Sequence, residues 1–156
     1  MASRHVRDSQ VFTTELVLPN DTNQLGNLLG GRLMHWIDIT AAIAAQKHAG
    51  RVCVTASVDE LNFHHPIRLG DVVILQASVN CVFRTSMEIG VLVTAQGLLG
   101  SPVRRANNAY LTFVAIDEQG HPVEVPPITP DTDDERRRYD EAFLRRAHRL
   151  ERRSME

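Results

Sequence analysis

The residue that could do chemistry most directly is Asp38, in the middle of a helical stretch that opens at Gly30-Gly31 and runs to about Ala49 before Gly50. Leu33, Met34, Trp36, Ile37, Ile39, Ala41, Ala42, Ile43, Ala44 and Ala45 surround the helix cylinder. That distribution predicts a helix buried on nearly all sides. No Lys or Arg lies one turn from Asp38 to pair with it. A buried, unpaired carboxylate is costly, and desolvation is expected to raise its pKa. Aspartate is also a poor helix-interior residue, and this one is too far in to act as a cap. Three readings follow: a structural acid bonded to a backbone donor, an acid facing a wet cleft, or a catalytic base.

The loop before the helix, Gly26-Asn27-Leu28-Leu29-Gly30-Gly31, adds a second feature. Paired glycines at a helix start let a ligand approach the free first-turn N–H groups, where the helix dipole favours developing negative charge. Gly30 and Gly31 are therefore candidates for backbone oxyanion donors, the alternative being a tight turn that needs glycine for backbone reasons. The eight residues from helix start to Asp38 span roughly 12 Å. Asn27 and Asp38 of one chain would struggle to reach one carbon atom. Two copies with antiparallel central helices would bring Asn27 of one to Asp38 of the other.

The elements that must position these residues follow from periodicity. Val11 to Leu18 reads as a strand ending at Pro19, and a turn-rich loop follows. After the helix, Val52 to Val58 alternates at period two, as do Val73 to Phe83 and Met87 to Ala95; Val103 to Ile116 reads as a last long strand. Short connections require antiparallel neighbours, and strands this long must twist and coil into a sheet able to wrap one helix. The fold class is α+β. Residues 1–10 are polar and aperiodic, the composition of a flexible terminus. A domain over 11–120 is followed by a proline-rich connector at 121–130 and a charged C-terminal segment at 131–156. Thr132-x-x-Glu135 fits a capping box before a helix to about Arg153. Its apolar stripe is Tyr139, Phe143, Ala147 and Leu150; Arg145, Arg146 and Arg149 either lie on a solvated face or reach a phosphate-bearing ligand.

Composition narrows the class. At 156 residues, 43% hydrophobic and a net charge of -2, the chain fits one domain and lacks the basic excess of a nucleic-acid binder. No apolar run approaches the ~18 residues of a membrane span, and the N-terminus lacks the apolar stretch of a secretory signal. A cytoplasmic location is expected. Cys53 and Cys81 stand apart in apolar runs and read as small hydrophobes. No metal site is expected, and His64-His65 would point to opposite faces of an extended segment.

Taken in order, several strings resemble the hotdog-fold acyl-CoA thioesterases, in particular the cytosolic, brain acyl-CoA hydrolase-like group and its single-domain bacterial relatives. They are Leu18-Pro19-Asn20-Asp21-Thr22-Asn23, Gly26-Asn27-x-x-Gly30-Gly31-x-x-Met34-x-x-x-Asp38, Val54-Thr55-Ala56-Ser57-Val58-Asp59 with Asn62-Phe63, Pro66-Ile67-Arg68-Leu69-Gly70-Asp71, and Ser86-Met87-Glu88-Ile89. The resemblance covers about residues 11 to 117. It implies a long central helix wrapped by a curved antiparallel sheet, homodimers with shared sites, a trimer of dimers, and hydrolysis of acyl-CoA to free acid and CoA. Coenzyme A enters only as part of substrate and product, with no separate cofactor.

By position, the resemblance makes Asp38 the general base or nucleophile. Asn27 of the partner chain would bind the carbonyl or orient water, and Gly30 and Gly31 would supply N–H groups. For the CoA phosphates the first candidate is Arg84, before Thr85 and Ser86, then Arg68 and the Arg104-Arg105 pair. Thr55 and Ser57 are candidates for the pantetheine arm. Surface charge and ordinary strand polarity are the bland alternatives for these positions. Trp36 and Met34 line an acyl tunnel or pack a dimer core. A non-catalytic acyl-CoA sensor is the rival reading on the same fold, and hydratase chemistry, which pairs a histidine with an acid, ranks behind both.

Overall fold

The structure, a computed structural model, describes every residue except Glu60, Asn62, Phe63, Leu99 and Glu156; the Asn62-Phe63 pair of the sequence pattern thus lies outside the described residues. The elements in chain order are β1 (Arg4–His5), α1 (Val6–Ser9), β2 (Val11–Leu16), a 3-10 turn (Pro19–Asp21), α2 (Gly30–Ala49), β3 (Cys53–Asp59), β4 (Val72–Val82), β5 (Ser86–Gln96), β6 (Arg104–Ala115), β7 (Ile128–Thr129) and α3 (Asp133–Ser154). A five-stranded antiparallel sheet, ordered β2-β4-β5-β6-β3, carries α2 on one side. Strand, helix and four further strands stand where the periodicity predicts them.

The core forms between the sheet's inward residues and one face of α2. Val73, Leu75, Ala77 and Val79 of β4, Met87 to Ala95 in alternation on β5, and Ala109, Leu111 and Phe113 of β6 meet Leu33, Ile37, Ala41, Ala44 and Ala45. The three alanines let the helix lie close to the sheet, while each large apolar side chain contributes about 1.5–3 kcal/mol on burial. Gly50, at φ 68°, caps α2 in the left-handed conformation that glycine adopts without strain. Contrary to the prediction of all-round burial, α2 keeps an open flank in the single chain: Ile39 is 45% and Ile43 38% exposed. Val54 and Val58 are exposed on β3, an edge strand. The apolar residues that circle the helix are thus divided between this chain's own core and a surface of the kind a partner covers.

Two segments depart from the sequence reading. Residues 1–10, expected to be flexible, are tied down: β1 pairs in parallel with β7, Val6 is buried, and Ser9 Oγ donates to Val6 O at 2.7 Å and accepts from Val79 N at 2.9 Å. Arg4 donates to His48 O near the end of α2. The ties to β7, Val79 and His48 are polar bonds to distant backbone atoms, which leave no hydrophobic period. In the connector, Val125, Pro126 and Ile128 are buried, and Val125 N donates to Arg84 O.

The capping box at α3 forms as predicted, with Glu135 N donating to Thr132 Oγ1 at 3.0 Å and Thr132 N to Glu135 Oε1. The helix is held chiefly by charge, however, on the sheet face opposite α2. Arg145 forks onto Glu88 at 2.7 and 2.8 Å and stacks 3.6 Å from the Tyr110 ring centroid. Glu88 is fully buried and also accepts from Asn80 Nδ2. Arg149 pairs with Asp59 at 2.8 Å, and Arg146 lies over Phe83. Of the predicted stripe, Tyr139 packs against the core and Phe143 edges onto Phe83 and Tyr139, while Ala147 and Leu150 are exposed.

Removing one partner of a buried ion pair leaves an uncompensated charge, so Arg145→Met should lower unfolding stability by about 3–5 kcal/mol. Adding Glu88→Met should recover most of that loss, as read by a denaturant double-mutant cycle. His48 is buried with Nε2 on Pro126 O at 2.6 Å. Burial pushes its pKa down, against the Pro126 carbonyl that favours the cation and with the Arg4 charge adding to the depression. The unfolded chain therefore binds the proton more readily. Stability should be full above about pH 6.5 and fall as pH drops below it, with a shallower fall in His48→Gln.

Candidate functional site

Asp38 is half-buried on α2, and its Oδ1 accepts a hydrogen bond from Thr55 Oγ1 at 2.7 Å. The acid expected to be buried and unpartnered thus has a side-chain donor on β3. A register shift follows between Thr55 and Ser57. Thr55 stands beside the core residue Phe113, whereas Ser57 stands beside Thr112, which neighbours Glu88 on the α3 side. Plain alternation predicts both hydroxyls on one face. The bulge separates them, so Ser57 cannot share a ligand arm with Thr55 on the α2 side.

The loop before α2 is stitched at several points. Asp21 Oδ2 accepts from Leu18 N, its backbone O from Leu29 N, and its Oδ1 lies 3.2 Å from Arg32 Nε. Asn23 Oδ1 accepts from Leu25 N at 2.9 Å and Asn27 N at 3.2 Å, leaving the Asn23 amide nitrogen available on an exposed residue. The Gly30 and Gly31 amides make no hydrogen bond among the described residues, and a Cβ at Gly31 would meet nothing within 4 Å. Space inside the chain therefore does not require that glycine.

Asn27, Leu28, Gly30, Leu33, Ile67 and Ala106 border a recess of about 370 Å3, with His65 at its edge. Asn27 Oδ1 is buried there without a partner among the described residues. Asp38 does not border this recess. The recess abuts Ala106 near the start of β6, while Thr55 pairs with Phe113 near its end. The structure thus gathers Asn27, Gly30 and Arg68, which bridges Asn27, and separately joins Asp38 to Thr55. Thr85 lies at the same end of β6, its O accepting from Ala115 N, whereas Ser86, two residues before Glu88 on β5, faces the α3 side as Ser57 does.

The cations divide sharply. Arg84 is exposed at φ 126°, a strained conformation for a non-glycine residue, and comes within 4.0 Å of Glu124. Arg68 is exposed. Arg104 is committed to Asp71 at 2.6 Å, and Arg105 borders a groove on the α3 side of the sheet. Arg145 and Arg149, offered as phosphate ligands, are held by Glu88 and Asp59. Burial pushes the Cys53 thiol up to about 11; at Cys81, burial and the Glu88 charge push it up to about 12. Neither is a ready nucleophile. Sequence reasoning missed Thr55 as the partner of Asp38 and Asn23 as organiser of the loop.

A long helix held against a curved antiparallel sheet, with an acid on the helix and glycine amides at its start, defines a hotdog-fold member of the thioesterase superfamily. The sequence profile of that superfamily matches residues 25–99. The chain is 41% identical over 133 residues to the acyl-CoA thioester hydrolase YkhA of Bacillus subtilis, covering 85% of this chain and 77% of that one. It is 40% identical to acyl-coenzyme A thioesterase 11 of Mus musculus over 91% of this chain but only 24% of the mouse protein. Among solved structures, an apo-hexameric acyl-CoA thioesterase superposes with TM-score 0.96 at 39% identity, each chain covered fully. An acyl-CoA hydrolase of Staphylococcus aureus, solved with butyryl coenzyme A and coenzyme A, superposes with TM-score 0.92 at 38% identity, covering 98% of this chain and 93% of that one. Structures of the Staphylococcus aureus protein also exist with an aspartate, an asparagine or a threonine changed to alanine. The chain belongs to the hotdog-fold acyl-CoA thioesterases.

Proposed function

We propose that the chain hydrolyses acyl-CoA thioesters to free acid and CoA at a site shared by two copies, with Asp38 of one and the 23–31 loop of the other. The observation that carries this reading is the Thr55–Asp38 hydrogen bond. In the Staphylococcus aureus protein the threonine changed to alanine lies seventeen residues after the changed aspartate. The same offset from Asp38 falls on Thr55. The changed asparagine there lies fifteen residues before the aspartate, an offset that falls on Asn23. That favours Asn23 as the carbonyl-side amide over Asn27, four residues later in the same loop, which the sequence pattern nominates.

Thr55 holds Oδ1 and leaves Oδ2 of Asp38 to accept a proton from water as it attacks the thioester carbon. The oxyanion forms against the Asn23 amide and the free N–H groups of Gly30 and Gly31. Collapse breaks the C–S bond, and the CoA sulfur leaves with the proton that Asp38 received. Atoms balance with water as the only co-reactant, and the step calls for no metal. Arg84 with Thr85, and Arg68 beside the loop, are the cations and hydroxyl we assign to CoA; Arg104, Arg105, Ser57 and Ser86 are not. The open flank of α2 and the β3 edge supply the face for pairing, and the hexameric relative supports a trimer of such dimers. Human and rodent relatives named as cytosolic favour a cytoplasmic location.

Thiol release from a series of acyl-CoAs tests the reading. Asp38→Asn should lower kcat by about 10²–10⁴ and Asn23→Ala by about 10²–10³, with a smaller loss in Asn27→Ala. Full activity in Asp38→Asn would remove the acid from the mechanism. CoA binding without wild-type turnover at any chain length would leave a sensor.

A further inference from the structure

The groove on the α3 side of the sheet is bordered by polar groups that the fold does not use. It holds about 330 Å3, and Ser78, Asn80, Gly90 and Arg138 all line it. The two strands that carry the first three, β4 and β5, are described throughout. Ala77 and Val79 are core residues, so Ser78 between them points to the α3 face. Ser78 is 5% exposed, and its hydroxyl has no partner among the described residues. Its cross-strand neighbour is Gly90, which has no side chain to cover it. Asn80 is 2% exposed. Its Nδ2 donates to the Glu88 carboxylate, which Arg145 forks and which only accepts. That fixes the amide's orientation and leaves Oδ1 without a bond among the described residues. A Cβ at Gly90 would come within 2.7 Å of Asn80 Nδ2, so glycine makes room for this amide. In the α3 wall, Arg138 places one terminal nitrogen 2.8 Å from Asp134, while its Nε is buried and unpartnered among the described residues. Buried polar groups normally find partners, and here three without one meet in a single groove.

We propose that this groove is a second ligand site, on the sheet face opposite α2, and that it takes a small hydroxylated phosphate monoester. The chemistry of the three groups selects the ligand. Arg138 Nε only donates and is charged, so it calls for an anionic oxygen. Asn80 Oδ1 only accepts, so it calls for a hydroxyl, and the Ser78 hydroxyl bonds either. A sulfate supplies acceptors alone, and a neutral polyol lacks the charge. Around the groove, Arg105, Arg137 and Arg138 face one carboxylate, Asp134, so its border is net positive. The volume is several times the ~30 Å3 share of a liquid water, which leaves room for a small polyol beside the phosphate. Asp38 and Thr55 lie on the other side of the sheet, so the inference does not rest on the hydrolase reading.

The experiment is calorimetric titration of the assembled protein with glycerol 3-phosphate, with glycerol and sulfate as comparisons. Wild type should bind glycerol 3-phosphate at least tenfold more tightly than either. Ser78→Ala and Arg138→Gln, each shown to be folded by a cooperative unfolding transition, should each weaken that binding about tenfold. Arg84→Gln, at the proposed CoA cation, should leave it unchanged. No binding by wild type, or unchanged binding in either groove variant, would overturn the inference. So would sulfate binding as tightly as the phosphate ester. Loss of binding in Arg84→Gln with both groove variants unaffected would move the phosphate to the proposed CoA site and overturn it as well.

Discussion

The hydrogen bond from Thr55 to Asp38 is the interaction on which the site depends, because it joins the two elements that one chain must hold in register. Asp38 rides on α2, fixed by alanine contacts to the sheet, and Thr55 rides on β3 at the sheet's edge. The bulge after Thr55 leaves that one hydroxyl facing the helix and sends Ser57 and Asp59 to the other side. There Asp59 is gripped by Arg149 of α3. The edge strand is thereby held from both faces, by a hydroxyl–carboxylate bond on one and an ion pair on the other. An edge strand with only half its ladder would otherwise be among the easiest parts of a sheet to open.

The same economy of polar anchors runs through the rest of the chain. Asp21 ties the loop before α2 at three points, and Asn23 folds its own side chain over Leu25 and Asn27. The first turn of α2 is thus presented with its amides free. Arg145 and Glu88 fasten α3 across the middle of the sheet, and residues 4–9 close the end near His48. Every one of these bonds lies outside the α2–sheet core. Apolar packing sets the layers, while charged and amide groups set how the loop, the edge strand and the C-terminal helix sit upon them.

That division explains how far the sequence could be read. The strand periods, the Gly50 stop, the capping box at Thr132 and Glu135, and the odd placement of Asp38 are local signals, and each appears in the structure at its predicted place. The bulges are not local signals: no residue type announces that Ala56 or Ala106 is an extra residue, and each moves a polar side chain to the opposite face. Nor does spacing reveal that Arg145 and Arg149 have carboxylate partners more than fifty residues away in the chain. The apolar circumference of α2 was legible, but it combines two surfaces, one for the chain's own core and one left open with Ile39 and Ile43. The loop's chemistry was legible as a region, whereas no local signal distinguishes Asn23, whose side chain organises the loop, from Asn27 four residues on.

The central claim is that one reacting centre is assembled from two chains, since the acid lies roughly 12 Å along the helix from the loop that precedes it. The most direct measurement mixes Asp38→Asn chains with Asn23→Ala chains under conditions of proven subunit exchange and follows thiol release from butyryl-CoA. In random pairs of a two-fold dimer, half the assemblies are mixed and each of those carries one site with both native groups, so activity should return to about a quarter of wild type. A mixture no more active than its two components, with exchange demonstrated, would place both groups within one chain and contradict the account.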